Sequence, residues 1–302
     1  MLMDFLLFIM TIMLSVAFFT ILERKLLSSL QIRIGPNKVG MMGLAQPFSD
    51  AIKLFIKEQL LFKFMNLLFY KMSSMMMLIL ALLIWLYYPK YIWTSLDSSS
   101  FMMIICIISF GVYPLLIMGI SSNSKYSMLG SMRSVAQTIS YEINFILVIL
   151  IYLYMNNKFL FESFVFFPLM MISFPLTVIF MISMLAELNR TPFDLTEGES
   201  ELVSGFNTEY MAGMFIFIFI AEYTMIISLS MMFTVIFMIN MNYLINLLQV
   251  NLIMLTVIWI RGTLPRVRYD ILMNLAWKSF LSISIIFIMY SYMLPSFMYL
   301  LG

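Results

Sequence analysis

Residues 213–239, GMFIFIFIAEYTMIISLSMMFTVIFMI, form one uninterrupted apolar run that carries a single charged residue, Glu222. About twenty helical residues, each rising about 1.5 Å, cross the roughly 30 Å hydrocarbon core of a bilayer, so this run reads as a transmembrane helix. A carboxyl group near its middle needs a proton, a partner or water, because an isolated charge there costs several kcal/mol. The same template fits about eight times, near 5–22, 68–88, 102–120, 135–155, 164–186, 213–239, 243–260 and 279–300. Pro175 is expected to kink the fifth run, and Asn246, Gln249 and Asn251 weaken the seventh. The expected fold class is an all-α membrane protein, one polytopic domain over 1–302.

Composition agrees. Of 302 residues, 63% are hydrophobic and 11% charged, which excludes a water-soluble globule. There is no His and one Cys, Cys106, so disulfides, Cys/His metal centres and His-based acid–base chemistry are excluded. No metal or cofactor is expected in this chain, and any redox group belongs to another. A net charge of +2 gives no sign of nucleic-acid binding. The chain opens on a spanning segment with no cleavable presequence visible, as expected of a protein made inside an organelle or a bacterium.

Charge sets the expected orientation. With eight spans, one side receives Arg24, Lys25, Arg33, Lys38, Lys53, Lys57, Lys63, Lys71, Lys125, Arg133, Arg190, Arg261, Arg266, Arg268 and Lys278, while the other receives Lys90 and Lys158. Cytoplasmic and matrix loops carry the excess of Lys and Arg, so the basic side is that one, and an even count of spans puts both termini opposite. In the first basic loop, residues 44–57 are too polar to cross. Leu44, Phe48, Ala51, Ile52, Phe55 and Ile56 share one helical face and Gln46, Asp50, Lys53 and Lys57 the other, the pattern of a helix lying in the interface. Such a helix is either a plain loop anchor or the rim of a ligand entrance.

The acidic residues concentrate in 187–210, ELNRTPFDLTEGESELVSGFNTEY, where Glu187, Asp194, Glu197, Glu199, Glu201 and Glu209 face one Arg190. A loop of alternating acids often means only solubility. Held together by turns at Pro192, Gly198 and Gly205, however, like charges raise one another's proton affinity and can exchange protons near neutral pH. Glu142 and Glu222 lie inside spans, where ionisable groups mark ion paths or serve as protonated hydrogen-bonding groups between helices. Tyr141 and Tyr223 adjoin them in sequence but point about 100° away. No span holds a central Lys or Arg, so the interior reads as acid only. The basic groups at helix ends read as snorkelling side chains, a subset of them docking a soluble partner.

Taken in order, GPNKVG, GLAQPFSDAIKLFIKE, SMRSVAQTISYEI, AELNRTPFDLTEGESELVSGFNTEY, AEYT and RGTLPRVRYD resemble the subunit 1 family of NADH dehydrogenase, the membrane subunit of respiratory complex I that meets the peripheral arm. The resemblance covers almost the whole chain. It implies a subunit of NADH:ubiquinone reductase without a redox centre of its own, in the mitochondrial inner membrane, with ubiquinone as substrate and with flavin and iron–sulfur clusters in partner subunits. It further implies a quinone channel bordered by Arg24, Asp50, Lys53, Phe55, Arg190 and Phe206. Glu142, Glu187, Asp194, Glu197, Glu199, Glu201, Glu222 and Tyr223 would form a proton or coupling path. Arg33, Lys38, Arg261, Arg266, Arg268 and Asp270 would dock peripheral-arm and neighbouring membrane-arm subunits. Two other readings stay open: the membrane subunit of a hydrogenase-type complex, and a transporter acting alone.

Overall fold

The computed structural model describes residues 2–59, 64–88, 100–156, 173–195, 205–238 and 243–301, and among these residues it is helical with no strand. The helices are α1 (Leu2–Leu30), α2 (Gln46–Ile56), α3 (Leu67–Ile84), α4 (Ser100–Phe110), α5 (Val112–Ser121), α6 (Lys125–Asn156), α7 (Phe174–Glu187), α8 (Gly213–Phe237), α9 (Tyr243–Thr263), α10 (Tyr269–Asn274) and α11 (Leu281–Leu301). Seven helical stretches among the described residues are long and apolar enough to cross a membrane, with α4–α5 counted as one and α10–α11 as another. α7 is apolar but shorter. Pro175 stands in its first turn, after a non-helical Ser173, where a missing N–H costs nothing.

Local breaks have local causes. Pro114 cannot donate to the carbonyl of Phe110, and the chain bends between α4 and α5 at Gly111. α1 continues past its apolar run to Leu30, so Glu23, Arg24 and Lys25 are helical. The loop after it turns tightly at Gly43, whose φ is 82° and whose Cβ, were one present, would lie 2.1 Å from the carbonyl oxygen of Pro36. Only glycine fits there. α2 begins with Pro47 in its first turn and buries no residue. Its Phe48, Ile52, Phe55 and Ile56 are exposed, while Asp50 faces α1 and accepts a hydrogen bond from Arg24 at 2.6 Å.

The core is aromatic and central. Phe145 of α6 stacks on Phe180 of α7 with ring centroids 4.7 Å apart, Phe237 of α8 lies tilted by 60° against Phe180 at 5.2 Å, and Tyr152 meets Phe237 edge-on at 4.8 Å. Such contacts add about 0.5–1.5 kcal/mol each beyond area burial. Small residues take over where helices approach most closely. Ser127, Ser131, Ser134 and Thr138 form a buried stripe on α6, and the first two lie against Gly119 of α5, where a Cβ would come 1.9 Å from the Ser131 hydroxyl. In a bilayer, where lipid is as apolar as Leu, this close approach supplies the attraction between helices.

Candidate functional site

The site begins at the end of α7. Asn189 adopts the left-handed conformation at φ 51°, its N–H reaches the carbonyl of Ala186 at 3.2 Å, and the N–H of Arg190 reaches that of Leu185 at 3.4 Å. This is a Schellman cap, with Asn replacing the usual Gly. It reverses the chain and turns Arg190 back among the helices. Gln137, buried on α6, holds the reversal by donating from Nε2 to the carbonyls of Ala186 (2.9 Å) and Phe193 (2.8 Å). The N–H of Val267 donates to the carbonyl of Pro192 at 3.0 Å, which fastens the turn after α9 to the same place.

Four elements then meet around one carboxylate. Glu23 of α1, with its side chain 7% exposed, accepts from Arg261 of α9, from the Tyr223 hydroxyl of α8, and from Arg190 at 3.5 Å. Arg190 also lies 3.8 Å from Glu222 and places its guanidinium carbon 4.6 Å from the centre of the Tyr223 ring. Two carboxylates and two guanidinium groups balance formally. Desolvating them is tolerable only because each opposes charge with charge.

Above this cluster lies a cavity of about 290 Å³. Its lining mixes apolar side chains, Leu80, Ile84, Ile107, Leu115, Phe215 and Phe219, with polar ones, Glu187, Arg190, Asp194, Glu222, Tyr223 and Arg261; on α8, Phe215, Phe219 and Glu222 follow one another along a single helical face. The Oε2 atom of Glu187 is buried with no hydrogen-bond partner among the described residues. Burial pushes this carboxyl, one residue beyond the 164–186 run, up to about 8, and repulsion from Glu142 adds to the rise. It can therefore hold or release a proton near neutral pH. A second, much smaller cavity, lined by Phe19, Glu23, Ile226, Val257 and Ile258, lies beside the same cluster, with Arg190 and Arg261 lining both. Among the described residues no three His, Cys, Asp or Glu side chains gather closely enough to hold a metal.

The sequence pattern of the NADH dehydrogenase family matches residues 3–292. The chain belongs to that family. It is similar to NADH-ubiquinone oxidoreductase chain 1 of Aedes aegypti, 48% identical over 287 residues covering 93% of this chain and 91% of the relative. The same protein of Anopheles gambiae is 49% identical over 285 residues, covering 93% and 91%, and that of Locusta migratoria 48% over 292 residues, covering 95% and 93%.

In this member of the family the expected site residues fall into separate groups. Glu187, Arg190, Asp194, Glu222 and Tyr223 come together at the cavity. Arg24 and Asp50 pair outside it, and Lys53 and Phe55 are exposed on α2. Glu197, Glu199 and Glu201, and the side chain of Phe206, lie outside the described residues. Of the six groups expected to dock partners, Arg33, Lys38, Arg268 and Asp270 are exposed, the last two paired at 3.0 Å. Arg261 turns inward to Glu23, and Arg266 reaches Asp194 at 3.2 Å. The interior is thus not acid only: helix-end arginines fold back into it. Glu23 and Gln137 were missed. Glu23 continues the buried stripe Ile12, Val16, Phe19 and Thr20 at helical spacing, but on a helix apolar all round that stripe has no contrast to reveal it.

Proposed function

We propose that this chain is the membrane subunit of a proton-pumping NADH:ubiquinone oxidoreductase that admits ubiquinone and transmits its reduction to the membrane arm. One observation carries the reading: a cavity lined by both apolar side chains and the ionisable groups Glu187, Asp194, Glu222 and Arg190. Apolar lining suits the tail and ring of a quinone, and a few polar groups among it suit its oxygens. Reduction creates negative charge, which a carboxyl already holding a proton, as Glu187 can, answers electrostatically. From there the path runs through Glu142 and Glu222, with Glu197, Glu199 and Glu201 extending it along the loop.

The remaining assignments follow the same reading. The segment 164–186, ending in α7, is the eighth span; the basic loops face the matrix and both termini face the intermembrane side of the mitochondrial inner membrane. α2 lies in the interface with its apolar face in lipid, and Arg24, Asp50, Lys53 and Phe55 border the quinone entrance beside it. Arg33, Lys38, Arg268 and Asp270 meet the peripheral arm, whose subunits hold the flavin and iron–sulfur clusters. In the assembled complex, Glu222→Gln is expected to depress NADH:quinone reductase activity and proton pumping together. Full coupled turnover in that variant would sink the proposal.

A further inference from the structure

α9 stands at the edge of the bundle. In its most apolar window 22% of residues are buried, against 61% for α8. Its outer face carries Leu244, Leu247, Leu248, Leu252 and Trp259, exposed by 57–77%. Leucine against lipid needs no explanation. Asn251, exposed on the same stripe, does. It sits eight residues past Tyr243 and ten before Arg261, about 12 and 15 Å from those ends at 1.5 Å per residue, near the middle of the bilayer.

Short exposed hydroxyl side chains can be satisfied within their own helix. Thr11, Thr263 and Ser282 each donate to a carbonyl three or four residues earlier. A carboxamide has two donors and an acceptor, and a bond back along its own helix, as Asn144 makes to the carbonyl of Ser140 at 3.5 Å, satisfies only one donor; Asn251 has no side-chain hydrogen bond among the described residues. In hydrocarbon an unsatisfied amide is costly, while an Asn between helices is an adhesive group.

We infer that the outer face of α9 is a docking surface for a transmembrane helix of a different chain, one that presents a side-chain amide or hydroxyl to Asn251 at mid-bilayer depth between flanking leucines. A different chain is favoured over a second copy because the relatives bear the name of one numbered chain of an oxidoreductase. The inference needs α9 to span the membrane but is independent of the quinone reading.

A photo-reactive phenylalanine analogue in place of Leu248 tests it in the assembled complex. Cross-linking to an apolar peptide of another chain is expected. In the same preparation Asn251→Leu should lower retention of that chain in mild detergent by about three- to fifteenfold, the strength of one hydrogen bond between membrane helices, while Asn251→Gln retains it. Adducts confined to lipid or to a second copy of this chain, or unchanged retention in Asn251→Leu, would overturn the inference. Because Leu248 and Asn251 touch neither cavity, loss of the partner helix with quinone reductase activity intact supports this surface and leaves the function reading untouched.

Discussion

Replacing Glu23 by Gln preserves size and one carbonyl acceptor but removes the negative charge that Arg190 and Arg261 share through a single oxygen, Oε1. Breaking a buried ion pair costs about 3–5 kcal/mol, chiefly because the surviving charge stays buried without compensation. Arg190 is 13% exposed and Arg261 33%, so water partly relieves the second and the lower end, about 3 kcal/mol, applies. At about 1.4 kcal/mol per tenfold, the packed arrangement of α1 against α8 and α9 becomes more than a hundredfold less favoured locally. The assay is the thermal midpoint for loss of quinone reductase activity in the assembled complex, measured for Glu23→Gln, Arg261→Gln and the double variant. Each single substitution should lower the midpoint, and the double variant should regain part of the loss, since Arg190 with Glu222 is then balanced again. A fully stable Glu23→Gln complex, or a double variant that loses the sum of both, would refute the charge-balance argument.

Three more predictions follow from the same geometry. Because burial raises the Glu187 carboxyl to about 8 from its ordinary 4.5, the folded protein binds a proton that the unfolded chain has lost between those values, so stability falls as pH rises through that window; Glu187→Gln should flatten the fall, as seen in thermal midpoints from pH 5 to 8.5. Gly43→Ala forces a side chain into φ 82° against the Pro36 carbonyl and should cost about 2 kcal/mol of loop order, measurable as faster trypsin cleavage after Arg33 and Lys38. Arg24→Ala breaks a pair whose side chains are 46% and 35% exposed and should cost less than about 1 kcal/mol in thermal stability, while raising KM for quinone if Arg24 borders the entrance.

Long apolar runs made the helical membrane architecture legible from sequence, because hydrocarbon leaves the backbone no other way to satisfy its hydrogen bonds than within one segment. Glu222 was legible for the same reason: a carboxyl amid such residues as Phe219 and Ile226 must be protonated, paired or hydrated, whether it marks an ion path or only bonds between helices. The cap at Asn189 was not, since its effect is a change of direction. Nor was the inward turn of Arg261 and Arg266, which sit at helix ends where a basic side chain ordinarily points to water.

What the sequence determined alone was therefore an all-helical chain with several membrane-length apolar helices, and the family to which it belongs, because these depend on run length, composition and motif order. Only the tertiary structure decided that Glu23, Arg190, Tyr223 and Arg261, contributed by α1, the turn after α7, α8 and α9, meet at one point. Pairing between charges spread over more than two hundred positions is fixed by how helices pack, and no local pattern along the chain encodes it.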